Sequence, residues 1–445
     1  MSTDISSDNA QEYAARIGLD WADQKHFWSM QTADNKVSRG ELPNTPESVE
    51  VWAGGLAQRF GDRPVAIAVE QARGAVIAML SKYAHIRLFP VHSTTLANYR
   101  KSFCPSGAKS DARDSDLILD LLIKHPERLR RIEPDTLETR RLQFLTEERR
   151  KLVDQCTAET QRLTGWLKQV FPQILCWFNN VTLPLVGEFL IRWPDLPKLQ
   201  KASDKKLIQF FHQHNCRSEG VIQQRITGIR QAVPATHDQA LLETSKMCIL
   251  HSVRTIAHMR TGIAAFDQRI AEVYQSHPDR AIVESFPGLG EVLEPRLIAA
   301  VGSRRERFNS ADSMASFTGI APVTESSGKS RWVHQRWACP KFIRQTFHEW
   351  AGCSIPTCDW ARQYYHQQMA KDKGHHAALR ALAYKWTRIF FRCWRDGVPY
   401  DEQRYLESTR SRAAESVPPA KTKVQVVWKK CGDFNKPIAV TLLTE

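Results

Sequence analysis

The stretch Pro64–Glu70 (PVAIAVE) constrains this chain more than any other. Val65 to Val69 are all apolar, with no alternation. A strand that is apolar on both faces must be covered on both faces, so it belongs in the centre of a sheet flanked by helices. The run is of strand length and ends in an acid. Its surroundings agree. Ala15–Asp20 (ARIGLD) reads as a strand that also ends in an acid, with residues 26–31 and 36–41 as meander partners. Thr45–Phe60 has helical spacing, with Val49, Trp52, Leu56 and Phe60 on one face. Ala75–Tyr83 reads as helix, Ile86–His92 as a third apolar strand and Thr94–Ser102 as helix. After Pro105-Ser106-Gly107 a further helix enters near Asp111 and runs to about Lys124, with Leu117, Leu121 and Leu122 on its buried side. This element order is that of an RNase H-like domain.

In such a domain, acids at the ends of two central strands and on a late helix converge. Asp20, Glu70, Asp111 and Asp114 occupy those places. Asp111 and Asp114 are three apart and share one helix face. Clustered carboxylates repel one another, and a bound cation explains them best. Hard oxygen ligands favour Mg²⁺ or Mn²⁺. Two such ions can stabilise the attacking and leaving oxygens of a phosphodiester. Each acid taken alone has an ordinary explanation: Asp111 as a helix cap, Asp20 as a turn residue. The four together, in this order, point to catalysis.

The middle of the chain has a different period. Leu145, Leu152, Cys156, Leu163 and Leu167 recur at steps of seven and four, as do Leu242, Ile249, Ile256, Ile263 and Ile270. These are heptad seams of two long helices, able to pair with each other or with another subunit. Between them, residues 172–234 carry Trp177, Phe178, Phe189, Trp193 and Phe210 and read as a small helical insert. Arg140, Arg141, Arg149 and Arg150 supply either a nucleic-acid contact or a solvated face.

Further on, Phe286-Pro-Gly-Leu-Gly290 resembles the hairpin of a helix-hairpin-helix element, whose glycines would let backbone N–H groups approach a phosphate. Then comes Thr318-Gly-Ile-Ala-Pro-Val-Thr-Glu-Ser-Ser-Gly-Lys-Ser330. The Ser-Ser-Gly tripeptide by itself reads as a turn. After it Lys329, Arg331, Arg336, Lys341 and Arg344 alternate with Trp332, Trp337 and Phe342. Basic side chains interleaved with aromatics suit phosphate contact and base stacking. Arg380, Lys385, Arg388, Arg392 and Arg395 punctuate an aromatic helix in which many of the rings must be core.

The net charge of +14, from 62 Lys and Arg against 48 Asp and Glu, points to a polyanionic partner. No apolar run is long enough to span a bilayer, so no membrane partner is expected. The first residues lack the basic start and apolar core of a signal peptide. Ten scattered cysteines form no CxxC pair, and Cys353, Cys358 and His348 are spaced poorly for zinc. Reduced, packed thiols in the cytoplasm fit better.

The chain resembles, from about Ala15 to Tyr405, the bridge-RNA-guided insertion-sequence transposases, which join an N-terminal DEDD RuvC-like domain to a C-terminal serine transposase domain. The motifs are GLD at Gly18–Asp20, AVEQARG at Ala68–Gly74, SGAKSDARD at Ser106–Asp114, FPGLG at Phe286, GIAPVTESSGK at Gly319, CPKFIRQTF at Cys339 and PYDEQRY at Pro399. Many relatives have Glu-Ala-Thr-Gly where this chain has Glu70-Gln-Ala-Arg-Gly, and Gly-Asn where it has Cys339-Pro340. The resemblance implies an α/β plus α fold. An RNase H-like domain would span 1–125 and a coiled-coil hairpin with its insert 126–279. A mainly helical serine transposase domain would span 280–405 and a basic tail 406–445. It implies a metal-binding tetrad of Asp20, Glu70, Asp111 and Asp114. It implies a nucleophile at Ser327, directly before the glycine, with Ser326 its rival. Ser327 would lie away from carboxylates of its own domain and close to another subunit's tetrad. It further implies donor and target DNA, a structured guide RNA, dimers pairing into a tetramer, Mg²⁺ or Mn²⁺ without ATP, and a bacterial, nucleoid-associated site of action. A metal-dependent hydrolytic nuclease and a non-catalytic nucleic-acid scaffold are the alternatives.

Overall fold

The computed structural model describes residues 13–61, 63–103, 111–328 and 330–415. The chain divides into two compact units at Pro134 and Asp135.

The first unit is a five-stranded sheet with helices. Its elements are β1 (Ala15–Asp20), β2 (Lys25–Thr32), β3 (Val37–Pro43), α1 (Pro46–Phe60), β4 (Val65–Val69), α2 (Ala75–Leu80), β5 (Ile86–Pro90), α3 (Ser93–Phe103) and α4 (Asp111–Lys124). The spatial order is β3-β2-β1-β4-β5, with β1, β4 and β5 parallel and β2 antiparallel to both neighbours. This is compatible with an RNase H-like fold. Every residue of β4 is buried, as its continuous apolar run requires. Ile67 and Val69 face one core with Val49, Ala53 and Leu56 of α1; Ala66 and Ala68 face another with Ile118, Leu121 and Leu122 of α4. The small alanines lie on the side where a helix comes close. Thr45 caps α1, its hydroxyl accepting from the Ser48 amide at 3.2 Å.

Helix α4 also lies against β1 at Gly18. A Cβ there would stand 2.2 Å from the Ser115 carbonyl oxygen and 2.3 Å from the Leu119 nitrogen. Both are backbone atoms with little freedom to retreat, so the requirement is absence of a side chain and not an unusual φ.

The second unit is helical. Its frame is α5 (Leu137–Val170), followed by α6 (Gln173–Trp177), α7 (Pro184–Arg192), α8 (Leu196–Gln200), α9 (Asp204–Gln213) and α10 (Glu219–Gln231), then α11 (Gln239–Gln275). Helices α5 and α11 run antiparallel against each other, as the pairs Arg149–Asp267, Leu152–Gly262 and Glu159–Ser252 show. The two seams therefore meet within one chain. Phe171, Phe178, Phe189, Phe210 and Phe211 form a core beside Leu163 and Leu167 of α5 and Ile249, Val253 and Ile256 of α11.

The remainder comprises α12 (Arg280–Glu284), α13 (Gly290–Val301), α14 (Ala311–Phe317), the ribbon β6 (Val323–Ser327) and β7 (Ser330–His334), α15 (Lys341–Thr357), α16 (Asp359–Met369), α17 (His375–Asp396) and α18 (Glu402–Glu415). Trp350, Trp386, Trp394, Phe347 and Phe390 are its largest fully buried groups. Phe286 of the FPGLG motif lies among them, stacked on Tyr400 at 5.0 Å. A Cβ on Gly288 would meet the Cys353 backbone at 2.6 Å, and the Pro287 carbonyl accepts from Trp350 Nε1 at 3.0 Å. Phe286 to Gly288 thus form a packing joint on α15, while a Cβ on Gly290 (φ +62°) would meet nothing within 4 Å. No described helix is long and apolar enough to cross a membrane.

Two expectations follow. Gly18→Ala should lower unfolding stability by on the order of 2 kcal/mol or more, since α4 must shift off β1; denaturant titration measures this, and a loss under half that value would contradict the contact. The second concerns His277, which is buried and held neutral. Its Nδ1 accepts from the Asp279 amide at 3.1 Å, and its Nε2 stands 3.0 Å from Thr139 Oγ1. Burial lowers its pKa below 6.5. The unfolded state therefore binds the proton first, so this contribution to stability is full above about pH 6.5 and is lost as pH falls below it. The thermal midpoint should drop on acidification through that window, and His277→Gln should flatten the drop.

Candidate active site and nucleic-acid face

Two features of the first unit gather acids at one edge of the sheet. Strands β1 and β4 are parallel neighbours with Leu19 opposite Val69. Asp20, ending β1, and Glu70, directly after β4, thus leave the sheet side by side. Asp20 is buried and Glu70 half-buried. The first turn of α4 comes to the same edge. Ala112 shares a small cavity with Phe27 and Glu41, and Phe27 is the register partner of Asp20.

Within that turn the two acids, three apart on one helix, differ in exposure. Asp111 is exposed, while Asp114 is completely buried. Both Asp114 oxygens accept from the Arg100 guanidinium of α3, each at 2.7 Å, and Arg100 is itself only 16% exposed. This two-pronged geometry is the strongest form of the pair. Sequence reasoning missed Arg100, because a basic residue in the last turn of an amphipathic helix ordinarily faces solvent. Asp116 is held elsewhere, by Ser29 at 2.6 Å and Arg39 at 2.8 Å.

Among the described residues no three His, Cys, Asp or Glu side chains stand close enough to form a ready metal-binding group. Four carboxylates are hard oxygen donors and fit a hard cation in kind, but Asp114 is turned to Arg100 and Asp111 is exposed.

In the second unit the serines are on a ribbon. Ser326 and Ser327 end β6, Ser327 pairs with Ser330 and Ser326 with Arg331. Both are exposed. The tripeptide is therefore strand followed by a tip at Gly328 (φ +56°), and not wholly turn. Adjacent residues on a strand face opposite ways. Ser327 shares a face with Glu325, Trp332 and His334, and Ser326 with Thr324, Arg331 and Val333. Glu325 thus sits two residues from Ser327 on its own face, against the expectation of no nearby carboxylate. It accepts from His334 at 2.8 Å and raises the pKa of that imidazole.

The five basic residues singled out in the sequence separate as well. Lys329 lies outside the described residues. Arg331 is exposed on β7 and Lys341 is exposed at the start of α15. Arg336 is half-buried, its Nε donating to the Ala321 carbonyl at 3.4 Å, and Arg344 donates to the Arg336 carbonyl at 3.0 Å. Trp332 and Trp337 are 60% and 73% exposed, and the His334 ring lies against that of Trp332 with centroids 4.4 Å apart.

Comparison with known proteins matches both units. A family model for the DEDD domain of IS110 elements, described as a transposase, covers residues 17–172. A second, described as "Transposase IS116/IS110/IS902 family", covers residues 280–366. The chain is also 23% identical over 408 residues to the mini-circle putative transposase for IS117 of Streptomyces coelicolor, spanning 89% of this chain and 98% of that one. It is 23% identical over 403 residues to the 43.6 kDa protein of insertion element IS110 of the same organism, spanning 89% and 97%. It is 24% identical over 352 residues to the 42 kDa protein of IS900 of Mycobacterium paratuberculosis, spanning 76% and 84%. These matches define a transposase, an enzyme that cleaves and rejoins DNA. The chain belongs to the transposases of the IS110/IS116 insertion sequences, whose two domain models together cover more than half of it.

Arg100→Ala would leave Asp114 buried without its countercharge. Removing one partner of such a pair costs about 3 kcal/mol or more. Chemical denaturation should show that loss, and Asp114→Asn combined with Arg100→Ala should recover part of it. A loss below about 1 kcal/mol would mean that Asp114 finds water or another partner.

Proposed function

We propose that this transposase is an RNA-guided DNA recombinase that exchanges strands through a phosphoserine at Ser327. The observation that carries the reading is the placement of Ser327 at the exposed tip of a ribbon, on the face of the largely exposed Trp332, in a chain whose other unit lines Asp20 and Glu70 up in register at a sheet edge. The Ser327 hydroxyl attacks phosphorus. A P–Oγ bond forms, the P–O bond to the departing strand breaks, and that oxygen leaves as a hydroxyl after taking a proton. Reversal by a different strand's hydroxyl rejoins the DNA. The ester conserves the bond energy, so no ATP is consumed.

Asp20, Glu70, Asp111 and Asp114 would hold Mg²⁺ or Mn²⁺. Such an ion supplies charge stabilisation at a phosphodiester's reacting oxygens. Arg100 is the resident countercharge of Asp114 and fixes the orientation of that carboxylate. The carboxylates and Ser327 would come from different subunits, in dimers pairing into a tetramer. A structured RNA encoded by the element would pair with donor and target DNA, leaving the protein to hold backbone, as in other guided systems. Lys329, Arg331, Arg336, Lys341 and Arg344 are assigned to that backbone contact, and the exposed Trp332 and Trp337 to base stacking.

The opposite facing of the two serines makes the nucleophile assignment sharp. Ser327→Ala should abolish the covalent protein–DNA adduct, seen as a band resistant to denaturation, with DNA affinity retained. Ser326→Ala should keep at least part of the adduct. Arg331 shares the Ser326 face, so an adduct mapped by peptide mass to Ser326 would reassign the nucleophile. Cleavage with no adduct in any variant would leave a hydrolytic nuclease instead.

A further inference from the structure

Helices α15 and α17 enclose a cleft of about 430 Å³, lined by Gln335, Lys341, Arg344, Gln345, His348, His376 and Arg380. Its composition is unusual: three cations, two imidazoles, two amides and no carboxylate. Lys341, Arg344, Gln345 and His348 recur at helical spacing on one face of α15, and His376 and Arg380 stand four apart on α17. That periodicity points both sets toward the same space.

The cations are not neutralised by the fold. Among the described residues, none of Lys341, Arg344, His348, His376 and Arg380 appears in an ion pair with an acid. The neighbouring carboxylate on α15, Glu349, is engaged by Arg296 at 2.6 Å and Arg150 at 3.7 Å and accepts from the Gln345 amide at 2.6 Å. Its charge is already spent on two other cations. The His348 and His376 rings stand 5.6 Å apart. Burial and repulsion from His376 and Arg380 lower the pKa of His348, and burial and repulsion from Arg344 lower that of Arg380. Arg344 and Arg380, half-buried beside the exposed Lys341 and with no acid paired to them among the described residues, are stabilised by an anion from outside. The amides at the start of α15 add to this, since the first-turn N–H groups have no intrahelical acceptors.

We infer that this cleft binds a phosphodiester of the DNA strand presented to the ribbon serine. It rests on the assignment of Lys341 and Arg344 to nucleic acid above, and adds His348, His376 and Arg380 as a defined pocket. The size suits one nucleotide. The position suits the same strand: Gln335 directly follows β7, whose first residue, Ser330, pairs with Ser327. Five strand residues span about 16 Å, or about five nucleotides at 3.4 Å each. The cleft is then a holding site that fixes the strand several nucleotides from the scissile bond, leaving the exposed ribbon free to adjust.

The test uses the full-length protein and a fluorescent single-stranded DNA oligonucleotide, with RNA of the same sequence and inorganic phosphate as further probes. Anisotropy is followed across a salt series for the wild type and for Arg380→Gln with His376→Gln. Arg388→Gln, exposed on the same helix, is the charge control and Arg331→Ala the ribbon control. The double variant should lose about tenfold in DNA affinity at 0.1 M salt, and its log–log salt slope should become shallower by about 0.7 for each phosphate lost. Inorganic phosphate should compete weakly with DNA on the wild type and less on the variant. A matching loss from Arg388→Gln would reduce the effect to net charge and overturn the cleft. An unchanged double variant with a weakened Arg331→Ala would overturn the cleft while sparing the ribbon's role; no effect from any of them would overturn both. Loss for RNA alone would refute DNA as the occupant. If the double variant melts early, His376→Gln alone, an exposed position, should still lose about threefold, and wild-type affinity there would count against the cleft.

Discussion

The contact between α4 and β1 at Gly18 is the constraint on which the acidic edge depends. With no side chain at that position, the Ser115 carbonyl and the Leu119 amide lie directly over the strand. Helix α4 is thereby fixed in height and rotation, so its first turn reaches the edge where β1 and β4 end. A helix held one side chain further away would still bury Ile118 and Leu122, but its first turn would stand further from the strand that ends in Asp20. Alanine at positions 66 and 68 serves the same closeness on the neighbouring strand. The acid edge is a product of small residues as much as of acidic ones.

Charge then has to be managed where packing has placed it. Asp114 is entirely buried, and a buried carboxylate without a partner costs several kcal/mol. Arg100 meets that need with a two-pronged grip. In the second unit the balance is reversed: cations collect along α15 and α17 with their nearest acid, Glu349, drawn away by Arg296 and Arg150. One unit holds surplus acid against a resident guanidinium, and the other holds surplus base open to an anion. Both arrangements suit an enzyme acting on a polyanion.

The long helices give the second unit a stiff frame. Leu145, Leu152, Leu163 and Leu167 face the seam of α11 within the same chain, and the polar pairs Arg149–Asp267 and Glu159–Ser252 set its register. An apolar seam alone tolerates sliding by a heptad; a buried Glu159 that must find Ser252 does not. The aromatic core around Trp350, Trp386 and Trp394 anchors the ribbon's surroundings, so Ser327 projects from a fixed base.

Much of this was legible in the residues. The unbroken apolar run Val65–Val69 required a central strand, the strand-ending acids at Asp20 and Glu70 marked one edge, and two heptad seams announced paired helices. These are local or periodic properties, and a periodic pattern fixes which face is buried whatever lies opposite. Three matters were decided only by the tertiary structure. Asp111 and Asp114, neighbours on a helical wheel, ended exposed and buried, because burial depends on what α3 brings across. Gly288 of FPGLG became a packing joint, because only the fold reveals that α15 lies against it. The basic residues after Ser327 divided into free side chains and ones tied to carbonyls, while Arg380 and His376 joined them from a distant helix. Sequence by itself determines periodicity and charge; which charges meet is set by long-range contacts that no local pattern encodes.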